Sequence, residues 1–350
     1  MDRRLRVAAG SGLIALIFLV VQLGALALVD PFQSAGYQAV EDPSDPTNSL
    51  AYIGAILVAT AVMLAAFKFN VDQLIRALIV FSGAWLSLFV FRVVVPPVLT
   101  VQGFNVVAWG LAGAIALGLL VYPEWYVIDI AGAVMGAAAA GLFGISFGIL
   151  PALVLLSVLA VYDAISVYGT EHMLTLASGV MDLKVPVVLV IPLSLSYSFL
   201  DAETPDPDSD DGTDAGAGPA ATDGESPTAT DGEGAADATE TTDDAVDAGP
   251  LDRDALFIGL GDAVIPSVLV ASSAFFAPAG IATVLGVPLP TVTAMVGTFA
   301  GLTVLLWMVL KGRAHAGLPL LNGGTIAGYL VGALAAGITL VDALGLGPYL

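Results

Sequence analysis

Nine apolar runs of about 20 residues dominate this chain, and each is long enough to cross roughly 30 Å of hydrocarbon as a helix. They are approximately Val7–Val29, Leu50–Phe67, Leu74–Val95, Val98–Val121, Tyr126–Leu142, Gly148–Gly169, Leu256–Pro278, Leu289–Leu310 and Leu318–Leu344. Lipid offers no hydrogen bonds, so a segment that crosses it must satisfy its own amides, as a helix does. The expected fold is therefore an all-α polytopic membrane protein with nine transmembrane helices. Charge content agrees: 12% of residues are Asp, Glu, Lys or Arg, against about 25% in soluble domains. Mean hydropathy is +0.92. The first run follows Arg3, Arg4 and Arg6 as a signal peptide would, but it exceeds the roughly 7–15 apolar residues of one and reads as a retained helix.

Basic residues orient the bundle. With the N-terminus in the cytoplasm and nine alternating spans, nine of the ten Lys and Arg fall on the cytoplasmic side and only Arg92 falls outside, the asymmetry expected of membrane proteins. The C-terminus is then outside, in a multi-pass protein of the cell membrane. The chain divides into residues 1–169 with helices 1–6, an interfacial segment 170–200, a loop 201–254, and residues 255–350 with helices 7–9. Residues 201–250 hold sixteen Asp and Glu and no Lys or Arg. So little apolar surface cannot pay the entropy of folding, which predicts a disordered cytoplasmic linker. The run Lys184–Leu200 is short and contains Pro186 and Pro192, which oppose a helix. Its β-branched Val187, Val188, Val190 and Ile191 predict a short, interfacial or partly buried strand.

The sixth run carries Asp163 and the seventh carries Asp262. A charge in mid-membrane is costly and marks function. Each aspartate sits about six residues from the cytoplasmic end of its run, so at 1.5 Å per residue both lie about 9 Å deep from one face. Side by side, two carboxylates share one proton. The ionised partner can take a proton from water while the protonated one polarises a carbonyl. The rest of the composition leaves that chemistry to carboxylates. There is no Cys, and His172 and His315 are the only histidines, so thiol nucleophiles and a histidine metal site are excluded. No cofactor is implied. A net charge of −21 opposes nucleic-acid binding.

"YD" at Tyr162–Asp163 and "GLGD" at Gly259–Asp262 resemble the two aspartate motifs of the presenilin and signal peptide peptidase family of intramembrane aspartyl proteases. A third family motif, Pro-Ala-Leu-Pro at the start of the last helix, is matched in part by "AGLP". Leu318 and Pro319 agree, while Ala316 and Gly317 stand where the family has Pro and Ala. The resemblance implies an intramembrane aspartic endopeptidase that cuts transmembrane substrates in or near their spanning helices. It makes Asp163 and Asp262 the catalytic pair. Tyr162, Gly259, Leu260, Gly261, Leu318 and Pro319 would shape the site or contact substrate. A strand at Val187–Ile191 could hold an unwound substrate by edge pairing.

Other readings compete. A proton- or cation-coupled transporter or channel could use the same aspartates, with Pro266 marking a broken helix, although no internal repeat is evident. An inactive scaffold could carry every motif. Asp129, near the inner end of the fifth run, lacks a partner at its depth and is expected at the interface. Asp182 falls in a loop, and Asp342 near a solvated end. A literal "PAL" at Pro151–Leu153 falls at the wrong end of its helix. Gly132, Gly136 and Ala140 predict close helix packing. "GLGDAV" lacks the strand and third Gly of a dinucleotide fingerprint.

Overall fold

The computed structural model describes residues 3–69, 71–169, 186–193, 197–200, 255–311 and 316–349. Asp182, Lys184, both histidines and the predicted linker 201–254 lie outside the described residues. The helices in chain order are α1 (Arg3–Ser34), α2 (Thr47–Lys68), α3 (Asp72–Val94), α4 (Val106–Val121), α5 (Trp125–Ser146) and α6 (Ile149–Gly169). They continue as α7 (Leu260–Phe275), α8 (Leu289–Val309), α9 (Gly317–Ala335) and a short α10 (Leu340–Ala343). Among the described residues seven helices are long and apolar enough to cross a membrane, and α4 and α7, also apolar, have 16 residues each. The protein is thus a mostly helical, multi-pass membrane protein.

Three antiparallel strand pairs interrupt the helices. β1 (Thr100–Val101) with β2 (Phe104–Asn105), and β5 (Thr283–Val284) with β6 (Val287–Pro288), are tight hairpins between helices. Each turns through two residues of positive φ, Gln102–Gly103 and Leu285–Gly286, which gives a hairpin turn the twist of its strands. The third pair is β3 (Val188–Pro192) with β4 (Ala255–Gly259), in the register Leu189↔Ile258 and Ile191↔Leu256. A strand thus occurs where the prolines predict one, beginning one residue later. Its Leu189, Val190 and Ile191 are all buried.

The seventh run departs from expectation. Its first residues form β4, and the helix begins only at Leu260. Leu256, Phe257 and Ile258 are good strand formers, and Gly259 ends the strand as the extended N-cap of α7. Pro266 sits inside a continuous α7. The ninth run also stops early, at Ala335. Gly337 takes φ 83°, and the Ile338 and Gly337 amides bond back to Ala333 and Leu334, the Schellman arrangement that terminates a helix.

Helix α5 is the axis of the packing, meeting α1, α3, α7 and β3. Gly132 and Gly136 permit this. A Cβ on Gly132 would stand 3.1 Å from the Leu189 side chain, and one on Gly136 3.2 Å from Leu260. The predicted small-residue face therefore seats β3 and the start of α7. Leu156, Leu159, Val268, Leu269 and Tyr329 form a core among α6, α7 and α9. Helix α2 faces outward almost entirely, with 6% of its apolar window buried.

Candidate active site

One face of α6 turns inward. Leu156, Leu159, Asp163 and Ser166 are buried, whereas Val161, Tyr162 and Ile165 are exposed. The spacing of three and four residues is that of a single helical face. Asp163 is 8% exposed and Tyr162, one position away, 40%. Asp262 is the third residue of α7 and is partly buried. It lies in the first helical turn rather than six residues in, because β4 supplies the preceding stretch. A carboxylate there is favoured by the positive end of the helix dipole.

The two aspartates meet at the start of α9. That helix has Ala316 as its N-cap, with no side chain to bond the first amides. Amides of a first helical turn need an outside acceptor, and Asp163 supplies one: the Leu318 N–H donates to its Oδ2 at 3.0 Å. Pro319, the next residue, has no N–H to satisfy. On the other side, the Asp262 carboxylate fills the space where a Gly317 side chain would stand. An added Cβ would lie 3.3 Å from Oδ2 and 3.5 Å from Oδ1. The carboxylates thus flank the single peptide unit Gly317–Leu318. Asn322, one turn on, ties α9 to α6 by donating to the Leu156 carbonyl at 2.9 Å. Among the described residues no three His, Cys, Asp or Glu side chains gather as a metal site.

The remaining predicted positions fall around this pair. Gly259 is exposed, and a Cβ on it would lie 3.7 Å from Asp262 Oδ2. Leu260 is buried against Gly132 and Gly136, and Gly261 faces open space. Leu318 packs on the α6–α7–α9 core. The literal Pro151–Leu153 "PAL" is in the first turn of α6, twelve residues before Asp163 at its outset.

The β3–β4 ladder leads into the same place. The Leu260 N–H donates to the Val187 carbonyl at 2.8 Å, while the Val190 N–H donates outward to Asp129 Oδ1, also at 2.8 Å. Alternate residues of an antiparallel pair bond inward. Leu189, Ile191, Leu256 and Ile258 therefore face the partner strand. Phe257 and Gly259 turn their amides and carbonyls to the other edge of β4, three residues from Asp262 at the nearer end.

Two carboxylates that sequence reasoning underrated frame this ladder. Asp129, expected at the membrane interface, is buried within the protein, because β3 packs over it. Glu124, the N-cap of α5, accepts from the Ser198 hydroxyl at 2.7 Å and the Phe199 amide at 3.0 Å. Burial works to raise its pKa, but bonds from Ser198, Phe199, Trp125 and Leu200 prevail and hold it below the usual glutamate range. The available signal was a carboxylate at the N-cap and another on the second turn of an otherwise apolar helix.

Comparison with known proteins bears on this geometry. The family model described as signal-peptide peptidase, presenilin aspartyl protease matches residues 15–338. Among curated proteins, none matches. Two solved structures of a presenilin family intramembrane aspartate protease, in C222 and P2 space groups, are each 32% identical to the chain. The first superposes with a TM-score of 0.59 over 92% of this chain and 98% of its own. The second does so with 0.57 over 92% and 96%.

Proposed function

The chain belongs to the signal-peptide peptidase and presenilin family and is an intramembrane aspartyl protease, and from that premise we propose that Asp163 and Asp262 are its catalytic pair. Membership favours proteolysis over transport as the reading of these aspartates. The observation that carries the assignment is the convergence of both carboxylates on the Gly317–Leu318 peptide.

In the proposed reaction the pair holds one proton. The ionised carboxylate takes a proton from a water molecule, whose oxygen attacks the substrate carbonyl carbon. The protonated carboxyl gives its hydrogen to the carbonyl oxygen. The tetrahedral adduct then collapses, the C–N bond breaks, and a proton passes to the leaving nitrogen, giving an acid and an amine. The pair titrates as a unit, so neither residue owns the role of base. The Leu318 amide orients Asp163. Gly259, Leu260 and Gly261 shape the approach to Asp262, and Leu318, Pro319 and the exposed Tyr162 border the path of the substrate.

A spanning helix hides its amides from attack and must unwind to be cut. The outward amides of Phe257 and Gly259 on β4 are suited to pair with the unwound stretch, which would lay it toward Asp262. β3 is a poorer partner than its sequence promises, because Asp129 takes the Val190 amide on that edge. In the membrane we place α4 and α7 across the bilayer with the seven longer helices, nine spans in all. The N-terminus faces the cytoplasm and the C-terminus the outside. The substrates are then transmembrane segments of other proteins.

The test is cleavage of a spanning peptide by protein purified in detergent. Asp163→Ala and Asp262→Ala should each lower the rate at least about 100-fold, the lower range of general acid–base catalysis. Equal product from wild type and both variants would remove the assignment.

A further inference from the structure

Asp129 is a buried carboxylate outside the catalytic pair, and its surroundings give it a task. It is 6% exposed, on the second turn of α5. Its Oδ1 accepts the Val190 amide of β3 at 2.8 Å. Its Oδ2 is buried and has no hydrogen-bond partner among the described residues. A buried carboxylate satisfied on one side only is an expensive feature, so a purely apolar residue would serve packing better here.

The single bond it does make lies at the head of a short mechanical chain. The Val190 amide faces away from β4 and would be unsatisfied in an apolar interior. Asp129 pins it to α5, while Gly132, one turn on, admits Leu189 to close contact. β3 in turn pairs with β4 from Val188↔Gly259 to Pro192↔Ala255, and the Val187 carbonyl takes the Leu260 amide at the first residue of α7. Asp262 follows two residues later. Three contacts therefore connect Asp129 to the position of Asp262 and to the open edge of β4.

We propose that Asp129 is a positioning residue that fixes the β3–β4 ladder on α5, and so sets which substrate bond lies against Asp163 and Asp262. The proposal rests on the protease reading and on pairing of substrate with β4. A substrate bound on an unpinned ladder would still meet the aspartates, but in more than one register and less tightly.

The full-length protein in detergent, with a spanning peptide as substrate, tests this by three readouts: KM against kcat, the bonds cut as read by mass spectrometry, and hydrogen exchange of the Val190 amide. Asp129→Leu removes the acceptor. It should raise KM about tenfold, with a smaller fall in kcat, spread cleavage over neighbouring bonds, and speed Val190 exchange. Asp129→Asn keeps an oxygen at the same place and should return KM to within about threefold of wild type, with one main cut. Glu124→Gln, which loosens the other end of the segment at Ser198 and Phe199, should leave Val190 exchange unchanged. An Asp129→Leu enzyme with wild-type KM and a single cut would overturn the proposal, as would Val190 exchange equal to wild type. Should the leucine variant not fold, Val190→Pro removes the donor while leaving the inward bonds of Leu189 and Ile191 to β4 in place, and KM against kcat with the bonds cut decide. A wild type inert on every spanning peptide would instead count against the protease reading, and Val190 exchange would still judge Asp129.

Discussion

At the scale of residues, the site depends on a place with no side chain. Gly317 leaves the room that the Asp262 carboxylate occupies. A methyl group there meets the carboxylate at 3.3 Å, a contact that a shift of a few tenths of an ångström relieves. Gly317→Ala should therefore keep kcat within about threefold, consistent with the alanine of the family motif at this position. Gly317→Val, whose branched carbons add bulk beside the Asp262 carboxylate, should lower kcat at least about 100-fold, on the scale of losing an acid–base group. Peptide-cleavage kinetics on both variants check this, and a fully active valine variant would contradict the geometry. Asp163 and Asp262 were legible because a charge in an apolar run stands out. The Leu318 amide that ties Asp163 to α9 was not, because every residue but proline has an N–H and the sequence does not say where it points. Asp129 was visible as a letter but its burial was not, because the strand that covers it is distant in sequence.

At the scale of elements, capping and close approach decide stability. Glu124 caps α5 and holds the stretch after β3 through a carboxyl kept below its ordinary pKa of 4.5. A depressed acid contributes stability above its unfolded pKa, and that contribution fades as pH falls through the lower folded value. Glu124→Gln should thus cost about 1 kcal/mol of stability at pH 7, from lost capping and charge-assisted bonding, and lower Tm accordingly. Its Tm should also fall less than that of wild type as the pH is taken from 5 to about 3, which scanning calorimetry would show. Helices α8 and α9 pack on glycine. A Cβ on Gly297 would overlap the Gly324 carbonyl, and one on Gly328 the carbonyl of Thr293. Gly324→Val should destabilise the fold by about 3 kcal/mol, the upper range for overpacking. Gly323→Ala, which points into open space, should change stability by no more than about 0.5 kcal/mol. Thermal unfolding of the pair compares them directly. Hydropathy exposed the long helices readily. It hid β4, because five apolar residues of strand run unbroken into the apolar residues of α7, and it missed the end of α9, where the stop is one backbone conformation at Gly337.

At the scale of the whole molecule, the proposed topology, with the N-terminus in the cytoplasm, predicts which loops face which side of the membrane. The absence of cysteine makes the orientation directly measurable. Glu41→Cys, in the loop after α1, should react with an impermeant maleimide on intact cells, whereas Phe69→Cys, in the turn after α2, should react only after permeabilisation. The opposite pattern would invert the proposed topology. The architecture was legible from composition and run length, since lipid admits few alternatives. The three strand pairs were less so, two of them being only two residues a side. One dimension has a further effect. Helix α7 has 16 residues and rises about 24 Å, less than the roughly 30 Å of hydrocarbon around it, and at its Asp262 end it gives way to a strand with a polar, open edge. Bilayers meet a short wall by pinching inward. Placed across the bilayer as proposed, α7 would draw the lipid inward beside Asp262, and a thinner collar there would shorten the path of the water consumed in each cut.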